Sequence, residues 1–262
     1  MTAQFISNKE YHEHPAISSS AVKAASRSLA HWKGAERKES THFDLGTGFH
    51  DMVLEGGLNT VKGPENRRGQ AWKILHASTT QAGKTLLTQG DYETCQKMSE
   101  SCLTNPRVRS IVRHPDAVIE GSYFATCPET GLQLKCRPDA YLREKQVCLD
   151  LKSTQNAEPS SRGFEKSIFG FGYHLQAAHY TYVLRLNDLP VTHFAFAAVE
   201  KTSPYAQCLH VLSAGIMEFA HKKLMNVLAR MAEGIAKDEY PTDWPELHMV
   251  HLPEYLTMEE DE

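Results

Sequence analysis

The chain has 262 residues, of which 41% are hydrophobic and 23% are charged, and its formal net charge is −4. This composition is ordinary for a folded globular protein and excludes wholesale disorder. Since a domain usually has ~100–200 residues, the length favours one elaborated domain, which we expect to cover residues 1–253. No apolar run approaches the ~20 residues that cross a bilayer, so we expect no membrane contact. The N-terminus lacks the basic and apolar stretches of a secretory signal.

Acidic residues are concentrated towards the C-terminal end. Residues 233–262 contain ten acidic residues and one lysine, whereas the rest of the chain contains 27 basic and 22 acidic residues. A mildly basic body is compatible with binding of a phosphate backbone, and solvated surface charge explains it equally well. We predict that residues 254–262 form a disordered acidic tail. Contact of this tail with a basic partner protein is the alternative.

The six cysteines are scattered along the chain. No two of them have C-x-x-C spacing, which argues against a zinc ribbon or clustered iron–sulfur ligation. Scattered cysteines without an export signal predict reduced thiols and a cytoplasmic location.

Hydrophobic periodicity and capping residues predict a helical N-terminal part followed by alternating strands and helices. The predicted helices cover residues 21–32, 45–57, 69–82, 88–113, 173–187 and 213–235. The predicted strands cover residues 117–126, 132–142, 147–153, 193–201 and 205–213. Residues Ser18–Ser20 offer N-caps for the first helix, and residues 147–151 are apolar enough for a strand buried on both faces. This order predicts an α+β (mixed α/β) fold, with a central mixed sheet flanked by helices and a helical N-terminal layer.

The main chemical signal is a pair of aspartates in two neighbouring predicted strands. Asp150 and Lys152 lie two residues apart and project from one face of their strand, whereas Leu151 projects from the other. The short turn between the strands can bring Asp139 close to Asp150, and two such carboxylates repel each other unless a cation lies between them. Hard cations such as magnesium prefer oxygen ligands, and a lysine ammonium beside them can assist phosphodiester hydrolysis. A surface hairpin with solvated charges is the alternative.

Further candidates lie on two predicted helices. His50 follows Gly46 and Gly48, and each glycine costs ~1 kcal/mol relative to alanine inside a helix. These glycines therefore predict a crowded functional surface where something approaches the backbone closely. Gln176 and Tyr180 are four residues apart, so they share a helix face. Hydrogen-bonded core or ordinary helix residues are the alternative interpretation for all three side chains.

Together these residues resemble a known family. The set is similar to the PD-(D/E)xK nuclease superfamily of the RecB type, and more closely to the C-terminal nuclease domain of exonuclease VIII (RecE). The similarity extends over six separated segments between roughly residues 11 and 185, whose order along the chain is that of the family. The residues that carry it are His50, Glu120, Asp139, Asp150, Leu151, Lys152, Gln176 and Tyr180.

The resemblance implies a magnesium-dependent exonuclease, with manganese as a substitute, that degrades the 5′-ended strand of linear double-stranded DNA. It implies 3′ single-stranded tails, a single-strand annealing partner of the RecT type, and a homo-oligomeric ring, with a tetramer favoured. The implied metal ligands are His50, Asp139, Asp150, the backbone carbonyl of Leu151 and, as a further acid, Glu120. Lys152 corresponds to the catalytic lysine, and Gln176 and Tyr180 correspond to residues that position DNA and support this lysine.

Basic and hydroxyl residues outside this set are candidates for binding the DNA backbone. Arginine side chains suit phosphate, and the N-terminus of the first helix can receive a 5′-phosphate. The candidates are Arg67, Arg68, Ser18, Ser19, Arg27 and Arg137, with Lys23, Lys33, Arg37 and Lys38 completing a basic helix. Exposed solubilising charge is the alternative.

Two other functions compete with the exonuclease interpretation. An endonuclease of the same superfamily would share the fold and the site. A non-catalytic DNA-binding recombination module would share only the fold, and the complete set of acids and lysine argues against it.

Overall fold

The computed structural model describes residues 3–35 and 41–250. Arg37, Lys38 and the predicted acidic tail at 254–262 lie outside these residues. The helices are α1 (Asn8–Glu13), α2 (Ser19–Arg27), α3 (Leu29–Lys33), α4 (Thr41–Leu54), α5 (Gln70–Gln81), α6 (Gln89–Thr104), α7 (Pro106–Val112), α8 (Phe164–Gly170), α9 (Tyr173–Leu186) and α10 (Ala214–Lys237). The strands are β1 (Thr60–Lys62), β2 (Thr85–Leu87), β3 (Ala117–Ile119), β4 (Tyr123–Thr126), β5 (Gln133–Cys136), β6 (Ala140–Leu142), β7 (Val147–Thr154), β8 (His193–Glu200) and β9 (Gln207–Val211).

A five-stranded mixed sheet forms the centre of the fold, in the order β3-β6-β7-β8-β9. Strands β7 and β8 are parallel, and the other neighbouring pairs are antiparallel. Strands β4 and β5 form a separate antiparallel pair, and β1 and β2 form a short parallel pair. The structure thus confirms the predicted mixed sheet with flanking helices.

Strand β7 separates two hydrophobic clusters because successive side chains of a strand point to opposite faces. Leu149 and Leu151 join the cluster built with α4, α6 and α7, whereas Cys148 joins the cluster built with α2, α9 and α10. All three side chains are fully buried, which confirms a strand covered on both faces. Asp150 and Lys152 therefore face the α2 and α9 side of the sheet.

Two predicted strands were wrong as continuous elements, because each is broken and shared between two sheets. The segment 117–126 divides into β3 and β4, and the segment 132–142 divides into β5 and β6. Pro138 lies in the second break, and it cannot donate a backbone hydrogen bond to a sheet. Gly121 lies in the first break, where a Cβ atom would come within 2.5 Å of Val118 Cγ1.

The two breaks lie side by side and join the two sheets. Ile119 pairs with Ala140 in the β3–β6 ladder, and the next residue, Glu120, donates its backbone N–H to the Asp139 carbonyl at 3.1 Å. Glu120 has a φ of +48°, in the left-handed region that few non-glycine residues adopt. The interruption therefore places two acidic residues next to each other.

Several helix boundaries differ from those predicted. The first helix is split at Ser28, whose side chain caps α3 by accepting from the His31 N–H, and the helix predicted at 88–113 ends where Asn105 caps α7. Helix α4 begins at Thr41, before the expected start after Asp44. Helices α1 and α8 and strands β1 and β2 were not predicted.

No helix in residues 3–35 and 41–250 combines the length and apolar character of a membrane span.

The two glycines of α4 differ, since Gly48 serves close packing and Gly46 does not. A Cβ atom at Gly48 would lie 2.6 Å from Leu87 Cδ1 and 3.3 Å from Cys95 Sγ, so the helix can approach β2 and α6 only without a side chain here. A Cβ atom at Gly46 would meet nothing within 4 Å. The predicted close approach is confirmed at Gly48, but protein side chains make it.

A buried histidine on α9 predicts a loss of stability in acid. His179 donates from Nε2 to the Lys135 carbonyl at 2.9 Å, its Nδ1 has no partner within the described residues, and burial lowers its pKa to about 4. The unfolded chain binds this proton near pH 6.5, so the contribution to stability is complete above that pH and is lost as pH falls towards 4. Between pH 7.5 and 4.5 we expect His179 to account for about 2–3 kcal/mol of lost unfolding free energy.

Urea unfolding of wild type and His179→Gln at both pH values measures this contribution, since glutamine does not titrate. His76→Gln, at an exposed position, is the matched control and should behave like wild type. An identical pH dependence for wild type and His179→Gln would contradict the prediction.

Candidate active site

Residues from three segments that are far apart in the sequence meet beside the N-terminal end of β6. His50 on α4 lies with Nδ1 3.4 Å from Asp139 Oδ1 and with Nε2 3.1 Å from the Leu151 carbonyl oxygen. Asp139 Oδ2 accepts the Leu151 backbone N–H at 2.6 Å. Leu151 thus positions the aspartate through its N–H, and its carbonyl oxygen faces the histidine.

Glu120 belongs to the same cluster. Ligand atoms of His50, Glu120 and Asp139 all lie within 4.8 Å of one another. Their donor set of one imidazole nitrogen and several carboxylate oxygens, with the Leu151 carbonyl oxygen beside it, fits a hard divalent metal ion. The residues present are therefore able to hold such an ion.

Both carboxylate oxygens of Asp150 have partners within the protein. Its Oδ1 accepts from Gln176 Nε2 at 2.6 Å, and its Oδ2 forms an ion pair with Lys152. The three-residue cluster of ligand atoms does not include Asp150. The structure thus includes Glu120, which the resemblance implied only as a further acid, among the clustered ligand atoms. The role of Asp150 as a ligand stays a prediction.

The charges of the cluster are mutually dependent. Burial opposes the charged forms of His50 and Asp139, but their attraction outweighs it, so the pKa of His50 is raised and that of Asp139 is lowered. Burial and the neighbouring Asp139 carboxylate raise the pKa of Glu120. A divalent cation would relieve this crowding of carboxylates, because opposite charge favours their ionised form.

Lys152 is held as a half-buried cation. Burial opposes its charge, but the carboxylates of Asp150 and Asp139 outweigh this effect and raise its pKa. Its ammonium lies 4.8 Å from the centroid of the Tyr173 ring and 5.6 Å from that of Phe196. Carboxylates on one side and aromatic rings on the other keep this lysine charged and localised.

Gln176 and Tyr180 share one face of α9, as predicted. Gln176 is buried and orients Asp150 through its amide. Tyr180 is buried, its ring centroid lies 6.3 Å from that of Phe194, and burial raises the pKa of its phenol well above the usual value. Tyr180 therefore stays neutral, and its contact with DNA remains a prediction.

The hydroxyl candidates lie at the start of α2. Ser18 Oγ accepts the Ala21 N–H at 3.3 Å, which confirms Ser18 as the N-cap, and Ser19 is buried. Arg27, at the other end of this helix, is exposed and lies over the Trp244 ring at 5.6 Å. A phosphate contact for these residues stays a prediction.

The remaining arginine candidates differ in their contacts. Arg67 approaches Asp91 at 3.4 Å and lies over the Trp72 ring, whereas Arg68 is exposed. Arg137 holds the N-terminal segment: Nε donates to Ser122 Oγ at 2.8 Å and Nη2 to the Ile6 carbonyl at 2.9 Å. These contacts support a structural role for Arg137, and its predicted contact with DNA is untested.

Sequence reasoning did not place two side chains that the structure brings to Lys152. Tyr173 provides the ring over which the ammonium lies, and Lys23 on α2 lies over the same ring at 5.6 Å. The sequence named Lys23 only as one member of a basic helix. No local pattern marks either residue, because α2 and α9 meet through tertiary packing alone.

Comparisons with known proteins bear on the family and the fold of the chain. The model of the family described as "PDDEXK-like domain of unknown function (DUF3799)" matches residues 17–248. A crystal structure from Eubacterium rectale, named provisionally as an exonuclease, matches with a TM-score of 0.60 and 15% identity over 88% of each chain. A phage related exonuclease from Haemophilus somnus 129PT matches with a TM-score of 0.40 and 9% identity over 88% of this chain and 99% of its own. No curated protein matches this chain.

Proposed function

The chain belongs to the PDDEXK-like family, and from this membership we propose that it is a magnesium-dependent exonuclease on linear double-stranded DNA. The proposed polarity is 5′→3′, which leaves 3′ single-stranded tails. The observation that supports it best is the cluster of His50, Glu120 and Asp139 with the cation of Lys152 nearby. Carboxylates and an imidazole can hold the metal ion of phosphodiester hydrolysis, and an ammonium can stabilise the negative charge that develops.

Each residue has a distinct task in this proposal. The residues that would hold Mg²⁺, or Mn²⁺ in its place, are His50, Glu120, Asp139, the Leu151 carbonyl and, as predicted from the resemblance, Asp150. The bound ion would supply the positive charge that makes water nucleophilic near neutral pH. Lys152 stabilises the negative charge that develops on the phosphate oxygens, and Gln176 keeps Asp150 oriented towards this lysine.

Digestion of end-labelled linear duplex tests the proposal. We expect release of nucleotides from the 5′-ended strand in the presence of Mg²⁺, no release with a chelator, and no cutting of supercoiled circular plasmid. Nicking of the plasmid would instead indicate an endonuclease. Absence of both digestion and calorimetric Mg²⁺ or Mn²⁺ binding would indicate a non-catalytic DNA-binding module.

The proposal includes partners. We propose a homo-oligomeric ring, with a tetramer favoured, and a single-strand annealing protein of the RecT type that takes up the 3′ tails. Both ideas rest on the sequence resemblance. Light scattering of the purified protein tests the ring, since a monomeric mass at working concentration would contradict it.

A further inference from the structure

Lys23 is directed towards the candidate active site by the start of α9. Its aliphatic stem packs on Gly172, where a Cβ atom would lie 3.2 Å from both Lys23 Cγ and Cδ. Gly172 has a φ of +66° and is the N-cap of α9. The missing side chain leaves the space in which the lysine stem lies. Its ammonium thereby reaches a position 5.6 Å from the centroid of the Tyr173 ring.

Two ammonium groups therefore share one aromatic ring. Lys152 lies 4.8 Å from the centroid of the Tyr173 ring, and its charge is balanced by the ion pair with Asp150. The two oxygens of Asp150 contact Lys152 and Gln176, and neither forms an ion pair with Lys23. Within residues 3–35 and 41–250, Lys23 Nζ has no carboxylate within 4.0 Å and no hydrogen bond.

An unbalanced cation in this position is unfavourable in the free protein. Burial and the neighbouring Lys152 lower the pKa of Lys23 to about 8, and the Asp150 carboxylate offsets only a part of this effect, so the group is still mostly charged at pH 7. A half-buried cation beside another cation costs free energy unless an anion approaches it. The tyrosine ring offsets only a part of this cost.

We propose that Lys23 and Lys152 form an anion site that binds a phosphate group of the nucleic-acid strand, with Lys23 as a binding residue beyond the nuclease motif. The choice of a nucleic-acid phosphate as the ligand rests on the proposed function. The charged non-bridging oxygens of a phosphate are complementary in charge to two ammonium groups that lie near the same ring, since lysine binds phosphate as a point charge. The phosphate belongs either to a 5′ end or to the interior of the strand, and the experiment separates these sources.

The test compares Lys23→Met, Lys23→Arg and the control Lys9→Met, whose parent side chain is 82% exposed and pairs with Glu13. Fluorescence anisotropy without divalent metal measures binding of linear duplex bearing 5′-phosphate or 5′-hydroxyl ends. We expect Lys23→Met to weaken binding by about tenfold, the usual loss for one charged hydrogen bond. The slope of log affinity against log salt should fall by about one. Lys23→Arg and Lys9→Met should stay within about twofold of wild type.

Thermal unfolding separates a binding role from a structural one. Without DNA, Lys23→Met should raise Tm by about 2 °C, since it removes an unbalanced charge. Inorganic phosphate, compared with chloride of equal ionic strength, should raise the Tm of wild type and of Lys23→Arg but not that of Lys23→Met. If the contacts of Lys23 served only folding, Lys23→Met would lower the Tm of the free protein.

The outcomes distinguish the anion site from the proposed function. Wild-type protein that responds to phosphate through Lys23 but digests no linear duplex supports the anion site and contradicts the exonuclease proposal. Active wild type, with Lys23→Met unchanged in DNA affinity, salt slope and phosphate response, overturns the anion site. A loss confined to 5′-phosphate ends assigns the site to the terminal phosphate, and an equal loss for both ends assigns it to an internal phosphate.

Discussion

Lys152→Gln is expected to lower the rate constant of metal-dependent DNA digestion by at least ~10²-fold, since one preorganised group that stabilises developing charge is commonly worth that much. Lys152 is half-buried, and its ammonium is paired with Asp150 and localised by the Tyr173 ring. No other described side chain has both of these contacts. Glutamine can still donate a hydrogen bond to Asp150, which keeps this variant closer to the wild-type fold than methionine would. Single-turnover digestion of end-labelled linear duplex at saturating Mg²⁺ measures the chemical step.

A buried lysine outside the candidate site provides the matched control. Lys135 donates to the carbonyl oxygens of Tyr11 at 2.6 Å and His14 at 2.7 Å, so Lys135→Met should destabilise the protein without touching the candidate site. Below its unfolding transition this variant should digest DNA like wild type, whereas Lys152→Gln should be inactive although folded. Retained digestion by a folded Lys152→Gln preparation would refute the assignment of this lysine.

Asp139→Asn is expected to lower the affinity for Mg²⁺ and Mn²⁺ by more than ~100-fold, since residues in the outer shell of a metal site are already worth ~10–100-fold. The carboxylate of Asp139 is in contact with His50 and belongs to the cluster with Glu120. An asparagine oxygen can still accept the Leu151 N–H, so the free energy of unfolding should change little. Asp139→Ala should lose both metal binding and about 1–3 kcal/mol of stability, because it leaves this buried N–H without an acceptor.

Isothermal titration with each metal and urea unfolding measure the two effects separately. Asp51, the residue after His50, is the matched control, since its carboxylate accepts the Asn59 N–H at 3.0 Å and the Thr60 hydroxyl at 2.6 Å. Asp51→Ala should lose stability and keep metal affinity. Equal metal affinity in Asp139→Asn and wild type would place the metal site elsewhere.

Local rules predicted the parts of the fold and the site that depend on neighbouring residues. The alternation of strand side chains placed Asp150 and Lys152 on one face of β7, where the structure finds them in contact. Helical spacing placed Gln176 and Tyr180 on one face of α9, and Gln176 does reach Asp150. The buried strand was recognisable because its apolar residues leave no polar face.

Features that depend on strand breaks were missed. The segments 117–126 and 132–142 have continuous strand composition, yet the chain leaves one sheet for another at Glu120 and at Pro138. Sequence pattern does not reveal which strands pair, because pairing joins residues far apart in the chain. The contact between Glu120 and Asp139 follows from the β3–β6 register, and this contact brings Glu120 into the cluster of ligand atoms.

The amino-acid pattern alone was sufficient to predict which acids, lysine and amide share a strand or a helix face, since residue types and short spacings define this. Packing between elements was needed for the neighbours of those groups: His50 over Leu151, Glu120 beside Asp139, and Lys23 across the Tyr173 ring. The physical reason is the separation in the sequence between the residues that are in contact. Backbone geometry relates residues a few positions apart, whereas contacts across tens of residues are set by how the two hydrophobic clusters pack against the sheet.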